Sequence, residues 1–378
     1  MARRRFLRRF ARFLNRLNPL SSDDIFDRFA TFLRIGSRPQ KAIFKDLQNV
    51  YPAGTKFVVL SIDQAYRGAG NVPQPFEKQL EELEELKQIH GDVLLPFVFV
   101  DPRRNDVMSL ALDCLENRGF AGIKLYSQYG YFPYDERLTE LLKYAETHQI
   151  PIIPHAAAAF GDYRGSKAEL WNLLNQCKLE NIDLKAVIET LTKDYRRWGT
   201  IRQKICSFFG HPVQYLYLLN QYPNLKISFA HMGGNQDWSY YPPSKEEIEK
   251  YGNIVGEIKA LLKTQENPQL LKEKLEAAFN LNWLFLIEQM MREYNNVYAD
   301  ISFTLSNPQF FPTLNNLLAD NTLRSKILFG TDYYMVEVDT SEENFYSALR
   351  QGIGEENFRQ IAETNPQVFL ESRSRILA

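Results

Sequence analysis

What most limits the folds open to this chain is a beat of short apolar runs separated by amphipathic helices. The runs are Phe57 to Asp63, Val93 to Val100, Gly122 to Tyr126, Ile150 to His155, Ile227 to His231, Asn296 to Asp300 and Lys326 to Asp332. Counted from the first apolar residue of each, they start at 57, 93, 123, 150, 227, 297 and 327, and four of the gaps are 27 to 36 residues. Such a gap holds one strand and one crossover helix. The two longer gaps call for helical insertions, and residues 164–209 and 243–294 read as helical. Short buried strands alternating with helices predict a parallel β/α architecture. The count is seven, where a closed (β/α)8 barrel has eight.

Parallel strands bring their carboxyl ends to one rim, which is where β/α enzymes place their chemistry. Read off in order, that rim carries Asp63, Asp101, Lys124 with Tyr126, His155, His231, Asp300 and Asp332. The run Leu225 to Gly234 is the most telling, because its strand ends on His231 and two glycines follow at 233 and 234. Glycine there lets the backbone turn sharply and leaves room beside the ring. His155, His231 and Asp332 together suggest a divalent metal, since imidazoles and a carboxylate suit zinc or a related ion with a position open for water. A metal-bound water would ionise near neutral pH, and a neighbouring carboxylate would move the proton. Each of the three taken singly reads as a packing or capping residue; their convergence on one rim favours a site. Lys124 and Arg103 are candidates to bind an anionic substrate, against ion pairing with rim aspartates for the first and a solvated loop for the second. Tyr126, Tyr129, Tyr131, Phe132 and Tyr134 either wall the mouth or pack on the barrel. His90 and His148 fall at helix ends, where a cation suits the helix dipole, and His211 fits a cap or loop.

The amino terminus follows a different pattern. Residues 1–22 contain seven arginines and no acid, and the remaining chain is correspondingly acidic although the net charge is only -1. Phe6, Leu7, Phe10, Phe13, Leu14 and Leu17 recur every three or four residues, a basic amphipathic helix. Three readings compete for it: peripheral membrane contact through residues 1–18, a cleaved transit peptide, or an arm packed on the domain. Residues 1–50 accordingly read as a helical basic arm and 51–378 as the barrel. Cys114, Cys177 and Cys206 are odd in number and lack a CxxC, which suits a reduced, cytoplasmic protein. Nothing resembles a P-loop, a GxGxxG or a nucleic-acid module, so a small-molecule substrate is expected; a homo-oligomer is open.

Taken together, Gly122-Ile123-Lys124-Leu125-Tyr126, the His155 strand, Ala230-His231-Met232-Gly233-Gly234 and Phe329-Gly330-Thr331-Asp332 resemble the amidohydrolase superfamily. The likeness is to the branch that includes decarboxylases of aromatic and aminomuconate acids, and it runs from about Phe57 to Phe369. It implies a TIM-barrel-like α/β fold with the first strand missing or replaced, and with insertions after the fifth and sixth strands. It implies a metal, zinc foremost, with His155 as a ligand, His231 as a ligand or activator of the attacking water, and Asp332 as ligand and general base. Asn365-Pro366 resembles the family's closing helix. The departure is that the family's opening His-x-His strand has no counterpart, since no histidine precedes His90. Either that strand lies upstream of Met1 or half the metal site has been lost. The leading expectation is metal-dependent hydrolysis of a C–N or C–O bond. Decarboxylation of a small carboxylic acid is the alternative, and a catalytically silent binding relative is the third.

Overall fold

The computed structural model describes residues 25–157, 163–176, 188–189, 192–193 and 198–371. The basic helix expected within residues 1–22, Cys177 and part of the first insertion lie outside them. Seven strands form one parallel sheet in sequential order: β1 (Phe57–Leu60), β2 (Leu94–Val100), β3 (Gly122–Leu125), β4 (Ile152–Ala157), β5 (Ile227–Gly233), β6 (Val297–Asp300) and β7 (Ile327–Leu328). Helices intervene along the chain, among them Phe76–His90, Val107–Glu116 and Thr139–Thr147. Helices Lys167–Gln176 and Trp198–Phe209 lie in the first long gap, and five more between Asn235 and Glu293 occupy the second. This is the α/β architecture of an incomplete barrel. The apolar runs are nearly continuous because the strands are covered on both faces.

Side chains alternate across each strand, and this period of two sorts the sequence into layers. Ile123, Ile152, Val297 and Ile327 join the main core that extends under the helices. A separate cluster, Phe97, Ala121, Ile153, Ala230, Tyr298 and Leu328, fills the inner face, and Phe369 of the terminal helix closes it. Lys124 stands two residues beyond Gly122, His155 two beyond Ile153, and Asp300 two beyond Tyr298. The inner apolar cluster is thus a floor, and the next inward-facing layer above it is polar.

β1 and β7 are the edges of the sheet. Unpaired edge groups are a liability in a parallel sheet, and β7 meets it without another strand. Its Lys326 and Leu328 carbonyls accept from Ala299 and Ile301 on the β6 side. Facing the other way, Phe329 N–H donates to the Ile361 carbonyl (2.9 Å), and Asn365 Nδ2 donates to the carbonyls of Ile327 (2.6 Å) and Arg324 (2.7 Å). Gln79 Oε1 likewise accepts from Ile62 N–H just past β1. Between the two edges the Tyr51 ring packs on Phe57 (5.6 Å between centroids) and Phe329 (6.3 Å). The residue just past helix Gln40–Val50 therefore reaches the seam. Asn365→Ala strips donors from two carbonyls and is expected to lower stability by about 2–4 kcal/mol in urea titration. An effect under about 0.5 kcal/mol, the surface-substitution range, would mean that the amide does not support this edge.

Candidate active site

The site is built on the ends of β3 to β7. At the end of β5 the backbone leaves the extended region, with His231 at φ 66° and Met232 at φ 42°, so the imidazole swings into the mouth instead of following the alternation. Left-handed φ is costly for residues with a Cβ. Here it is held by His231 N–H donating to Asp300 Oδ1 (3.2 Å) and Thr304 Oγ1 donating to the His231 carbonyl (3.0 Å). Gly234 at φ 83° completes the turn, and a Cβ there would stand 2.8 Å from that of Ala157. Asp332 is a second left-handed residue, at φ 60°. Strain of this kind collects at functional sites.

The two histidines form a continuous hydrogen-bonded chain. His231 Nδ1 faces the Ser302 carbonyl at 2.9 Å, His231 Nε2 faces His155 Nδ1 at 3.1 Å, and His155 Nε2 faces the Tyr126 hydroxyl at 3.2 Å. A carbonyl can only accept, so His231 Nδ1 carries a proton, and with neutral rings the rest of the order follows. His231 carries its proton on Nδ1, its Nε2 accepts from His155 Nδ1–H, and His155 Nε2 accepts from Tyr126. Both rings are neutral in this arrangement. Burial first, then His231 and the Lys124 ammonium nearby, push His155 well below the ordinary imidazole range. Tyr126 also stacks on His155 (4.1 Å, 11°) and on Tyr129 (4.7 Å).

Lys124 and Asp332 supply the charge. Lys124 is buried, 2% exposed, and burial lowers its pKa to about 8 although Asp300 and Asp332 pull the other way. Its ammonium lies 5.7 Å from the centroid of the Tyr126 ring. Asp332 is exposed, yet the protein packed about its carboxyl raises the pKa, against the lowering effects of His231 and Lys124. Asp300 does a different job: its Oδ1 accepts from His231 N–H and from the backbone and hydroxyl of Ser302. Asp300 was legible as a strand-end residue. Ser302 and Thr304, which follow it, carry no pattern that singles them out.

The remaining candidates divide. Arg103 is committed to its own loop, donating from Nε to Asp101 Oδ1 (2.7 Å) and from Nη2 to the Tyr66 carbonyl (3.1 Å). Asp63 is engaged with Ala65 N–H and Arg104. Of the aromatic run, Tyr126 and Tyr129 stack toward the site, Tyr131 ties Tyr126 N–H to the Val100 carbonyl, and Phe132 packs on Phe208 and Phe209. His148 bonds the Tyr144 carbonyl, His90 packs on Phe44, and His211 Nδ1 accepts from Val213 N–H before helix Gln214–Gln221.

The amidohydrolase family profile matches residues 75–371, most of the chain. The chain belongs to the amidohydrolase family. No curated protein matches it in sequence. Among solved structures it is similar to a 2,6-dihydroxybenzoate decarboxylase complexed with 2,6-dihydroxybenzoate (13% identity, 88% of each chain, TM-score 0.52). It is also similar to a 5-carboxyvanillate decarboxylase from Sphingomonas paucimobilis (11% identity, 87% of this chain and 82% of that one, TM-score 0.50). A third is a 5-carboxyvanillate decarboxylase variant from Novosphingobium aromaticivorans with bound manganese and 3-methoxy-4-hydroxy-5-nitrobenzoic acid (11% identity, 93% and 86%, TM-score 0.51). At such identities the likeness establishes the shared fold. Family and fold agree with the resemblance carried by the strand-end motifs.

The metal drawn from that resemblance meets a different arrangement. Among the described residues no three His, Cys, Asp or Glu side chains are placed to hold an ion. In the chain of neutral rings both acceptor lone pairs are taken, one by Tyr126 and one by His155. His155, His231 and Asp332 as they stand do not fit a metal. No helix among the described residues is long and apolar enough to cross a membrane.

Proposed function

We propose that this amidohydrolase-family chain decarboxylates a small carboxylic acid, an aromatic one in the first instance. The observation that carries the reading is an accessible carboxyl, Asp332, with a raised pKa and a buried ammonium, Lys124, near enough to act on it. Lys124 binds the anionic group of the substrate, and the Tyr126 face and the neutral His155–His231 pair orient the rest of it. The bond from the ring carbon to the carboxylate breaks with its electron pair left on carbon, and CO2 departs. The Asp332 carboxyl gives its proton to that carbon and is reprotonated from water. An acid can perform this step, whereas hydrolysis asks the same group to act as a base on water. The decarboxylases with the same fold support the choice over hydrolysis. Zinc, hydrolysis and substrate binding by Arg103 are not part of the proposal.

The direct test supplies 2,6-dihydroxybenzoate, 5-carboxyvanillate and related hydroxybenzoates and follows CO2 release, in D2O as well as H2O. One deuterium at the vacated carbon is expected. Ester or lactone cleavage without CO2 would restore hydrolysis, and binding without turnover would make the chain a silent relative.

Two further results follow. With Lys124 titrating near 8, its ammonium is present below that pH and lost above it. The rate constant kcat/KM should therefore fall about tenfold per pH unit above 8, and a flat profile to pH 9.5 would remove Lys124 from binding. Dialysis against EDTA should leave turnover unchanged, since no lone pair of the ring chain is spare. Activity lost and then restored by Mn2+ or Zn2+ would show that the rings reorganise around an ion.

A further inference from the structure

Asp332 has to be kept in a conformation its backbone resists, and what holds it comes from the other end of the chain. Helix Ile25–Ile35 packs on the turn Met335–Val338 that follows Asp332. Phe32 meets Tyr334 at 5.3 Å between ring centroids. Immediately after this helix, Gly36 lies flat against the same ring: a Cβ there would stand 2.7 Å from Tyr334 Cε2 and 2.8 Å from its hydroxyl. Glycine is required here by space, because a methyl group would have to displace a ring two residues from Asp332.

A second tether arrives on the opposite side. Tyr51, just past helix Gln40–Val50, donates its hydroxyl to Glu342 Oε1 at 2.6 Å. The Glu342 N–H also donates to Glu337 Oε1 at 2.9 Å, on the turn that follows Asp332. Glu342 is 2% exposed, and Ser341 caps the helix Glu342–Ile353 that it opens. The Tyr51 ring is fixed in turn by Phe57, Phe329 and Tyr346. The segments on either side of Asp332 are therefore linked to residues 32–51: Phe329 through the Tyr51 ring, and the turn after Asp332 through Phe32, Gly36 and the Tyr51–Glu342–Glu337 contacts.

We infer that the amino-terminal helical segment is part of the frame of the active site, with Gly36 through Tyr334 and Tyr51 through Phe329 and Glu342 acting as positioning residues for Asp332. The inference rests on the reading of Asp332 as the proton donor. A left-handed residue with a Cβ persists only where its surroundings over-determine it, and these two contacts supply that determination. They also give the seam between β1 and β7 a use: the element that spans it steadies the reacting carboxyl.

The test uses the full chain and the variants Gly36→Ala, Tyr51→Phe, Tyr334→Ala and the Gly36→Ala/Tyr334→Ala pair. Hydrogen–deuterium exchange is measured over peptides covering 329–341, with kcat and KM on whichever hydroxybenzoate is turned over. Gly36→Ala and Tyr51→Phe should each speed exchange in 329–341 while leaving β2 to β5 as in the parent. They should lower kcat about tenfold with KM within about twofold, as expected of a misplaced catalytic group. In the Tyr334→Ala background, Gly36→Ala should have no further effect, because the ring it displaces is gone. Exchange that stays the same in 329–341, or rises evenly across the barrel, would overturn the inference. The exchange result stands without turnover, so failure of the decarboxylase reading and failure of the positioning role are separable.

Discussion

Asp332→Asn should lower kcat by about a thousandfold while KM and the unfolding midpoint stay close to those of the parent. The amide matches the carboxyl in shape and keeps its hydrogen-bonding capacity, and asparagine tolerates left-handed φ better than most residues. What it lacks is a proton to give. General acid catalysis contributes about 10²–10⁴-fold, and in the proposed reaction Asp332, whose carboxyl pKa is raised by burial, is the donor. Steady-state kinetics on a decarboxylated hydroxybenzoate, with circular dichroism as the check on folding, decide the matter. A variant retaining more than a tenth of parental kcat would move the proton donor elsewhere, with Lys124 next in line.

Lys124→Met should pull activity and stability in opposite directions. Methionine fills the space of the lysine stem without its charge, so kcat/KM should drop about 10²–10³-fold as the ion pair with the substrate carboxylate is lost. The fold, however, is relieved. A lysine that titrates at about 8 when folded and near 10.4 when unfolded binds its proton more weakly in the native state. The linkage sign follows: between those two values the unfolded chain carries more protons, so this group's contribution to stability rises with pH through that window. At pH 7 it is charged in both states at a cost of about 3 kcal/mol to the fold. Lys124→Met should recover part of that cost as a higher urea midpoint at pH 7, and the gain should shrink toward pH 10. A variant both inactive and less stable would mean that the ammonium is well paired and that its role is structural.

Much of this was readable from the chain because β/α topology turns sequence position into spatial position. A strand ending on His155 and another on His231 had to meet at one rim, and the step of two from Ile153 to His155 and from Tyr298 to Asp300 tells which way each side chain faces. Gly233-Gly234 marked the turn. What could not be read is whatever depends on contacts between distant segments. Arg103 has the composition of an anion binder, yet Asp101 two residues away holds its guanidinium. Nothing in the sequence pairs Gly36 with Tyr334 or Tyr51 with Glu342, residues about 300 apart that meet only once the sheet has curled. The histidine chain was hidden for a similar reason. Metal ligation and mutual hydrogen bonding use the same residues, and only the 3.1 Å approach of the two rings separates them.

That chain of rings has a consequence for what the mouth can recognise. The Ser302 carbonyl takes the proton of His231, which takes that of His155, which takes the only proton the Tyr126 hydroxyl owns. With its proton directed at His155, the Tyr126 hydroxyl has no second one to donate. On the proposed reading, a substrate group that meets this oxygen would have to bring the proton itself. A backbone atom on the loop after β6 thereby sets the polarity of a side chain on the far side of the pocket.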